Sequence, residues 1–226
     1  MMALLASSRL ATERLSSVGE PEILLPQAFP DVADLHRMNR SVRDSTALIE
    51  RAEREFVFMA IPYTLSVHQA FIVDCIRLVQ DETETDSSAQ DALLRLEVIH
   101  DRFIEVSGQQ LPADLRSLFQ LLRHLRNRIV HYAAVQGSHL REKWLELPPP
   151  AVNGWTKVAG RALPVGRSAD EMDLRLGELL AALMTVTRLG REVSAAMGAA
   201  IEPERWRYDL KLWVGHLFDG AAYLPR

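Results

Sequence analysis

Cysteine is almost missing from this chain of 226 residues: Cys75 stands alone. An intrachain disulfide and a cysteine-built zinc site are therefore excluded, and a reducing compartment fits the usage. β-Branched residues never gather into alternating runs, so strands have little to build from. An excess of positive charge is also lacking. The formal net charge is −4, so the chain as a whole does not attract nucleic acid or acidic membranes, and any such contact needs a local patch. The most apolar stretch, residues 56–67, is too short to span a bilayer, contains Pro62 and reads as core. Residues 1–15 lack the basic-then-apolar layout of a secretion signal. There is no phosphate-binding glycine loop, zinc-protease string or nucleophile elbow. The expectation is a soluble, cytoplasmic protein with no cofactor and no membrane contact.

The composition is otherwise an ordinary globular balance, 48% hydrophobic and 25% charged, rich in alanine, leucine, arginine and glutamate. The length suits one substantial domain with appendages. Residues 1–30 read as a peripheral segment, with a short helix over 2–17 broken by Gly19, Pro21, Pro26 and Pro30. Asp31 is placed to cap a helix reaching about Phe58, and Pro62 is expected to break or kink the helix near its position. A second helix is expected over 63–80 and a third over 89–106. Gly108 to Pro112 then forms a turn, and a fourth helix starts at Asp114 and runs to about Val135. Leu147-Pro148-Pro149-Pro150 is expected to stop helical structure, leaving a long loop over 148–166. Ser168 with Glu171 matches a capping box for a long helix over 170–199, and Pro203 opens a last helix over 204–218. The architecture implied is an all-α bundle of four to five long helices over 31–200. Peripheral helices flank it, and residues 201–226 form a C-terminal helix packed on the bundle.

One segment carries chemistry: Arg123-His124-Leu125-Arg126-Asn127-Arg128-Ile129-Val130-His131-Tyr132. At about 100° per residue, Leu118, Leu122, Leu125 and Ile129 fall in one core-facing sector. Gln120, His124, Asn127 and His131 fall nearly opposite, and Arg126 lies on the flank. From Leu115 to Arg141 there are five arginines and no carboxylate, a local positive patch suited to a phosphodiester.

The string of Arg126, four residues beginning with Asn127, then His131, late in a leucine-rich helix, resembles the signature of the HEPN family (higher eukaryotes and prokaryotes nucleotide-binding). Arg95 and His100 share the spacing, but Leu96 follows that arginine and Leu96 and Ile99 look like core. The resemblance covers about ten residues, and the helical layout agrees with the family's bundle. It implies a homodimer through the motif helix, with two arginines and two histidines lining a shared cleft. Many members are metal-independent endoribonucleases. His131 would exchange protons with the ribose 2′-hydroxyl or the leaving 5′-oxygen, Arg126 would stabilise the phosphorane charge, and Asn127 would support them. Arg123, His124 and Arg128 are the expected phosphate contacts. Products would be 2′,3′-cyclic phosphate and 5′-hydroxyl ends. Bacterial members often act as toxins or phage-defence effectors, and a separate antitoxin is then a possible partner, though nothing in this chain identifies one. The alternative is a non-catalytic HEPN-like protein that binds a nucleotide, an RNA or a protein. Outside the family stands a helical scaffold with no such site.

The remaining histidines, His36, His68, His100, His139 and His216, look isolated and lack metal-ligand spacing, so no metal site is expected. Trp206, Trp213 and Phe218 read as core packing, and the acidic run 81–86 as solvated loop.

Overall fold

The computed structural model describes residues 2–80, 95–131, 138–165 and 172–201. All regular elements among them are helical: α1 (Met2–Ser16), α2 (Leu25–Ala28), a 3-10 turn (Leu35–Arg37), α3 (Val42–Gln80), α4 (Ile99–Ser107), α5 (Ala113–Val130), α6 (Ser138–Leu145), α7 (Pro149–Ala159) and α8 (Leu176–Ala200). The expected third-helix start at 89–94, the acidic run 81–86, the cap at Ser168 and Glu171, and the C-terminal helix over 204–218 lie outside the described residues.

The long helix α3 organises the rest. From Phe56 to Val73 it carries no Asp, Glu, Lys or Arg. Val57, Ile61, Leu65 and Ile72 recur at helical spacing and are fully buried. Against this face pack α4, α5 and α8, while α1 packs on α3 as well. Among the described helices, α3 alone is long and apolar enough to cross a membrane, since helix continues beyond the stretch 56–67 to Gln80. Its buried face belongs to a core shared with α4, α5, α7 and α8.

Of the break or kink expected at Pro62, the break does not occur: α3 runs through it. Proline removes the N–H that would bond the Phe58 carbonyl, a penalty of about 3 kcal/mol in a helix interior. Burial of Ile61 and Leu65 on either side opposes it. Thr64 Oγ1 donates to the Ala60 carbonyl at 2.8 Å and Ser66 Oγ to the Pro62 carbonyl at 3.0 Å, adding donors to carbonyls around the defect.

The start of α3 also differs from expectation. Asp31 caps no helix; residues 31–34 turn, and Asp34 takes a left-handed φ of 67° ahead of the 3-10 turn. Ser41 is the cap, its Oγ accepting from the Asp44 N–H at 3.1 Å. The chain before it is held extended because Leu25 N–H donates to Arg40 O and Val42 N–H to Ile23 O, each at 2.9 Å. This clasp closes a second, smaller core around Leu15, Leu25 and Val42.

The expected loop over 148–166 is corrected as well: Pro149–Ala159 is helix α7. The proline string that bars a continuing helix favours a new one, because Pro149 and Pro150 sit in the first turn, where an N–H would lack a partner anyway. Ala151 and Trp155 on α7 are fully buried, and Gly160 ends the helix at φ 76°. The next helix begins six residues later than its sequence cue at 170, and its entry is anchored by charge. Glu178, 0% exposed, accepts from Arg161 Nε at 2.6 Å and from the Arg175 N–H at 2.8 Å. Gly177 makes the approach of α7 and α8 feasible, since a methyl there would collide with the Ala159 carbonyl oxygen.

Removing one member of a fully buried ion pair typically costs about 3–5 kcal/mol. The Arg161 side chain is 38% exposed and can turn to water, so Glu178→Ala should cost less, about 2 kcal/mol. Urea unfolding with unchanged slope and a lowered midpoint is the expected result; an unchanged midpoint would mean that this pair does not secure α8.

Candidate functional site

Helix α5 divides as its sequence pattern indicates. Leu115, Leu118, Phe119, Leu121, Leu122 and Leu125 are buried in the main core, while Ile129 is half-buried against it. Gln120, His124, Asn127 and Arg126 are half-buried, and His131 is exposed. The helix ends at Val130, earlier than residue 135; His131 is its C-cap, with its N–H on the Asn127 carbonyl at 2.9 Å. The imidazole thus stands at the last turn, beside the solvent-exposed Val130. Tyr132, the end of the motif string, lies outside the described residues.

Arg126 Nη1 donates to Asn127 Oδ1 at 3.2 Å, so these two expected catalytic residues meet. The other expected phosphate contacts are placed differently. Arg123, with its side chain 16% exposed, lies 3.7 Å from a Glu97 carboxylate oxygen. It also donates Nε to Gln120 Oε1 at 2.8 Å and Nη2 to His124 Nε2 at 3.0 Å. Gln120 in turn donates to the Glu97 carbonyl at 2.8 Å. Arg123 and His124 therefore belong to a network that ties α5 to the segment before α4. Arg128 is 5% exposed and does not join the open face. Its position follows from the helix itself, since residue 128 falls near the leucine stripe three residues after Leu125. Of the five arginines in the stretch, Arg116 pairs with Asp101. Arg126 and Arg141 have no carboxylate partner among the described residues, so they carry the positive potential.

A polar cleft of about 610 Å³ opens beside the N-terminal half of the same helix. It is lined by Arg116 and Gln120 from α5, by Glu97, His100 and Asp101, and by Lys143 and Glu146 beyond the motif. Its charges are mostly matched internally: Arg116 with Asp101, and Lys143 with Glu146 at 2.5 Å. Gln120 and His131 are eleven residues apart, about 16 Å along a helix axis, so the cleft and the motif end are separate places.

One pair of residues has no local sequence signal. His68 and His100, 32 residues apart, meet in the core with Nε2 atoms 3.0 Å apart. Phe119 packs on both rings, edge-on to His100 at 4.3 Å between centroids. One ring must donate and the other accept, which two neutral rings can do. Burial pushes His68 down to about 4. Burial, His68 and the nearby Arg116 push His100 down to about 3. His100 is also the histidine of the spacing decoy with Arg95, and its burial agrees with the core reading of Ile99. No group of three or more histidine, cysteine or acidic side chains able to hold a metal occurs among the described residues.

Because both folded pKa values lie below the ordinary 6.5, the unfolded chain binds protons first on acidification. The stabilisation is complete above pH 6.5 and is lost as pH falls toward 4. For His68 alone the span corresponds to roughly 3 kcal/mol. The urea midpoint should fall across this window, and a His68→Leu/His100→Leu protein should show a distinctly shallower fall. Parallel pH profiles for the two proteins would refute the role of this pair.

The chain matches no known protein-family model, no curated protein and no solved structure.

Proposed function

We propose that this protein is a metal-independent endoribonuclease that acts as a homodimer, with the C-terminal end of α5 as its site. The observation that carries the reading is the placement of the motif residues. On a helix otherwise committed to the core, His131 is exposed at the terminus, and Arg126 and Asn127 sit in contact one turn before it.

The two key side chains are five residues apart, about 140° around a helix, so one copy does not aim both at a single phosphate. Two copies meeting at this end would place two arginines and two histidines around one phosphodiester. His131 of one subunit accepts the 2′-hydroxyl proton as that oxygen attacks phosphorus. The second His131 protonates the 5′-oxygen as its bond to phosphorus breaks. Arg126 donates paired hydrogen bonds to the non-bridging oxygens as charge builds. The products are a 2′,3′-cyclic phosphate and a 5′-hydroxyl, and DNA lacks the nucleophile. A toxin or phage-defence role fits such an activity, and in the toxin case the partner is a separate antitoxin.

A second reading, a non-catalytic RNA-, nucleotide- or protein-binding dimer, is favoured by a different observation. Arg123 and His124 are tied into the Glu97 network and Arg128 is buried, which leaves fewer groups for phosphate.

The test is cleavage of structured and single-stranded RNA by the full chain in excess EDTA, with analysis of product ends. His131→Ala should lower the rate by about 10²–10⁴-fold and Arg126→Ala by about 10²–10³-fold. Equal activity of parent and variants would place the chemistry elsewhere. Inactivity of both would favour the binding reading, and a strict monomer at micromolar concentration would overturn the composite site.

A further inference from the structure

We propose that the N-terminal groove is a binding site for a free aliphatic carboxylate, with the acyl chain in the groove and the carboxylate on Arg14 and Arg40. The groove measures about 430 Å³, within the range of small-molecule sites, roughly 300–1,000 Å³. It lies between α1, α2, the 3-10 turn and the first turns of α3, over the smaller core.

Its lining is almost wholly aliphatic, with Leu15, Leu25, Leu35, Met38 and Ile49 and a single ring, Phe29. Val32, Met38 and Leu48 remain 43%, 52% and 49% exposed. Here they converge on one concavity, unlike singly scattered surface apolar residues. The one polar uncharged lining side chain, Ser45, spends its hydroxyl on the Ser41 carbonyl at 2.8 Å. The walls thus offer nothing to a polar ligand body and suit a hydrocarbon chain.

Charge then selects the head group. Arg14 and Arg40 both line the groove, and no acidic residue does. Three other arginines of this region each have a carboxylate: Arg9 with Glu13, Arg37 with Asp34, Arg43 with Glu22. Arg14 and Arg40 have none among the described residues. The backbone of Arg40 is held on both sides, its carbonyl accepting from Leu25 N–H and its own N–H donating to Met38 O, each at 2.9 Å. Guanidinium groups bind carboxylates by paired, charge-assisted hydrogen bonds. Both arginines are exposed, so a head group bound to them stays near water and its charge is not buried, while the chain loses its apolar hydration. The site shares no residue with the end of α5 and stands independently of the ribonuclease reading.

Isothermal titration calorimetry of the full chain with octanoate, decanoate and dodecanoate tests it, with decanol as the uncharged analogue. Saturable one-to-one binding is expected, tightening about fourfold per added methylene until the groove is filled. Replacing both arginines (R14Q with R40Q) should weaken decanoate at least tenfold and leave decanol unchanged, and the exposed, paired Arg37→Gln should change neither. Absence of saturable binding would overturn the proposal. So would equal binding of acid and alcohol that the arginine changes do not touch. Binding to anionic vesicles without binding of free decanoate would assign the surface to a membrane instead. Self-association that decanoate does not relieve and Met38→Asp abolishes would assign it to a second copy.

Discussion

The burial of one face of α3 is the constraint on which the other helices depend. The helix has no charged residue from Phe56 to Val73, and one face of that stretch is covered by other apolar groups while Met59, Tyr63 and Val67 stay exposed. Residues 57, 61, 65, 68, 72, 75 and 76 form the inner face, and α4, α5 and α8 are arranged where they can cover it. Even Pro62 is overruled by this requirement, because a break there would expose Ile61 and Leu65. The polarity of α5 follows in turn. Its leucine stripe is used up against the core, so Arg126, Asn127 and the terminal histidine can only be presented elsewhere.

The features legible in the sequence were those that depend on local periodicity. The leucine spacing of α5, the turn at Gly108 and the all-α class are written in stretches of a few residues. The boundaries were less so, because the same residues signal opposite events. Pro148-Pro149-Pro150 bars a helix from continuing and suits the first turn of a new one, and only the burial of Ala151 and Trp155 decides between the two. Leu35 and Met38 are spaced for a helix, but a three-residue separation also fits a 3-10 turn. The backbone pairing of Leu24 with Ser41 settles that segment, through a contact between residues well separated in the chain.

The candidate site was legible in part for the same reason. The helical wheel separates the polar group from the leucine stripe. It also places Arg128 beside that stripe, but it does not show that Glu97 from a different segment occupies Arg123. The His68–His100 contact was beyond reach of any local pattern. Each histidine sits beside core residues, Leu65 and Ile72 for one and Ile99 and Phe103 for the other, and only the fold makes them neighbours. A buried neutral pair of this kind specifies a single relative placement of α3 and α4, since sliding either helix would leave a ring nitrogen without its partner.

The two cores have no buried residue in common, and α3 runs from one to the other through Glu50-Arg51-Ala52-Glu53-Arg54-Glu55, mostly exposed. A continuous helix therefore joins two regions of unequal support: few apolar side chains hold its beginning, many hold its later turns. Local opening need not involve the whole domain. The amides of the first turns of α3, together with the Leu25–Arg40 clasp, can exchange with solvent through a sub-global opening that leaves α4, α5 and α8 in place. Along a single continuous helix, protection from exchange would rise from one end to the other, and cooperativity within the chain would end inside a helix, not at a loop.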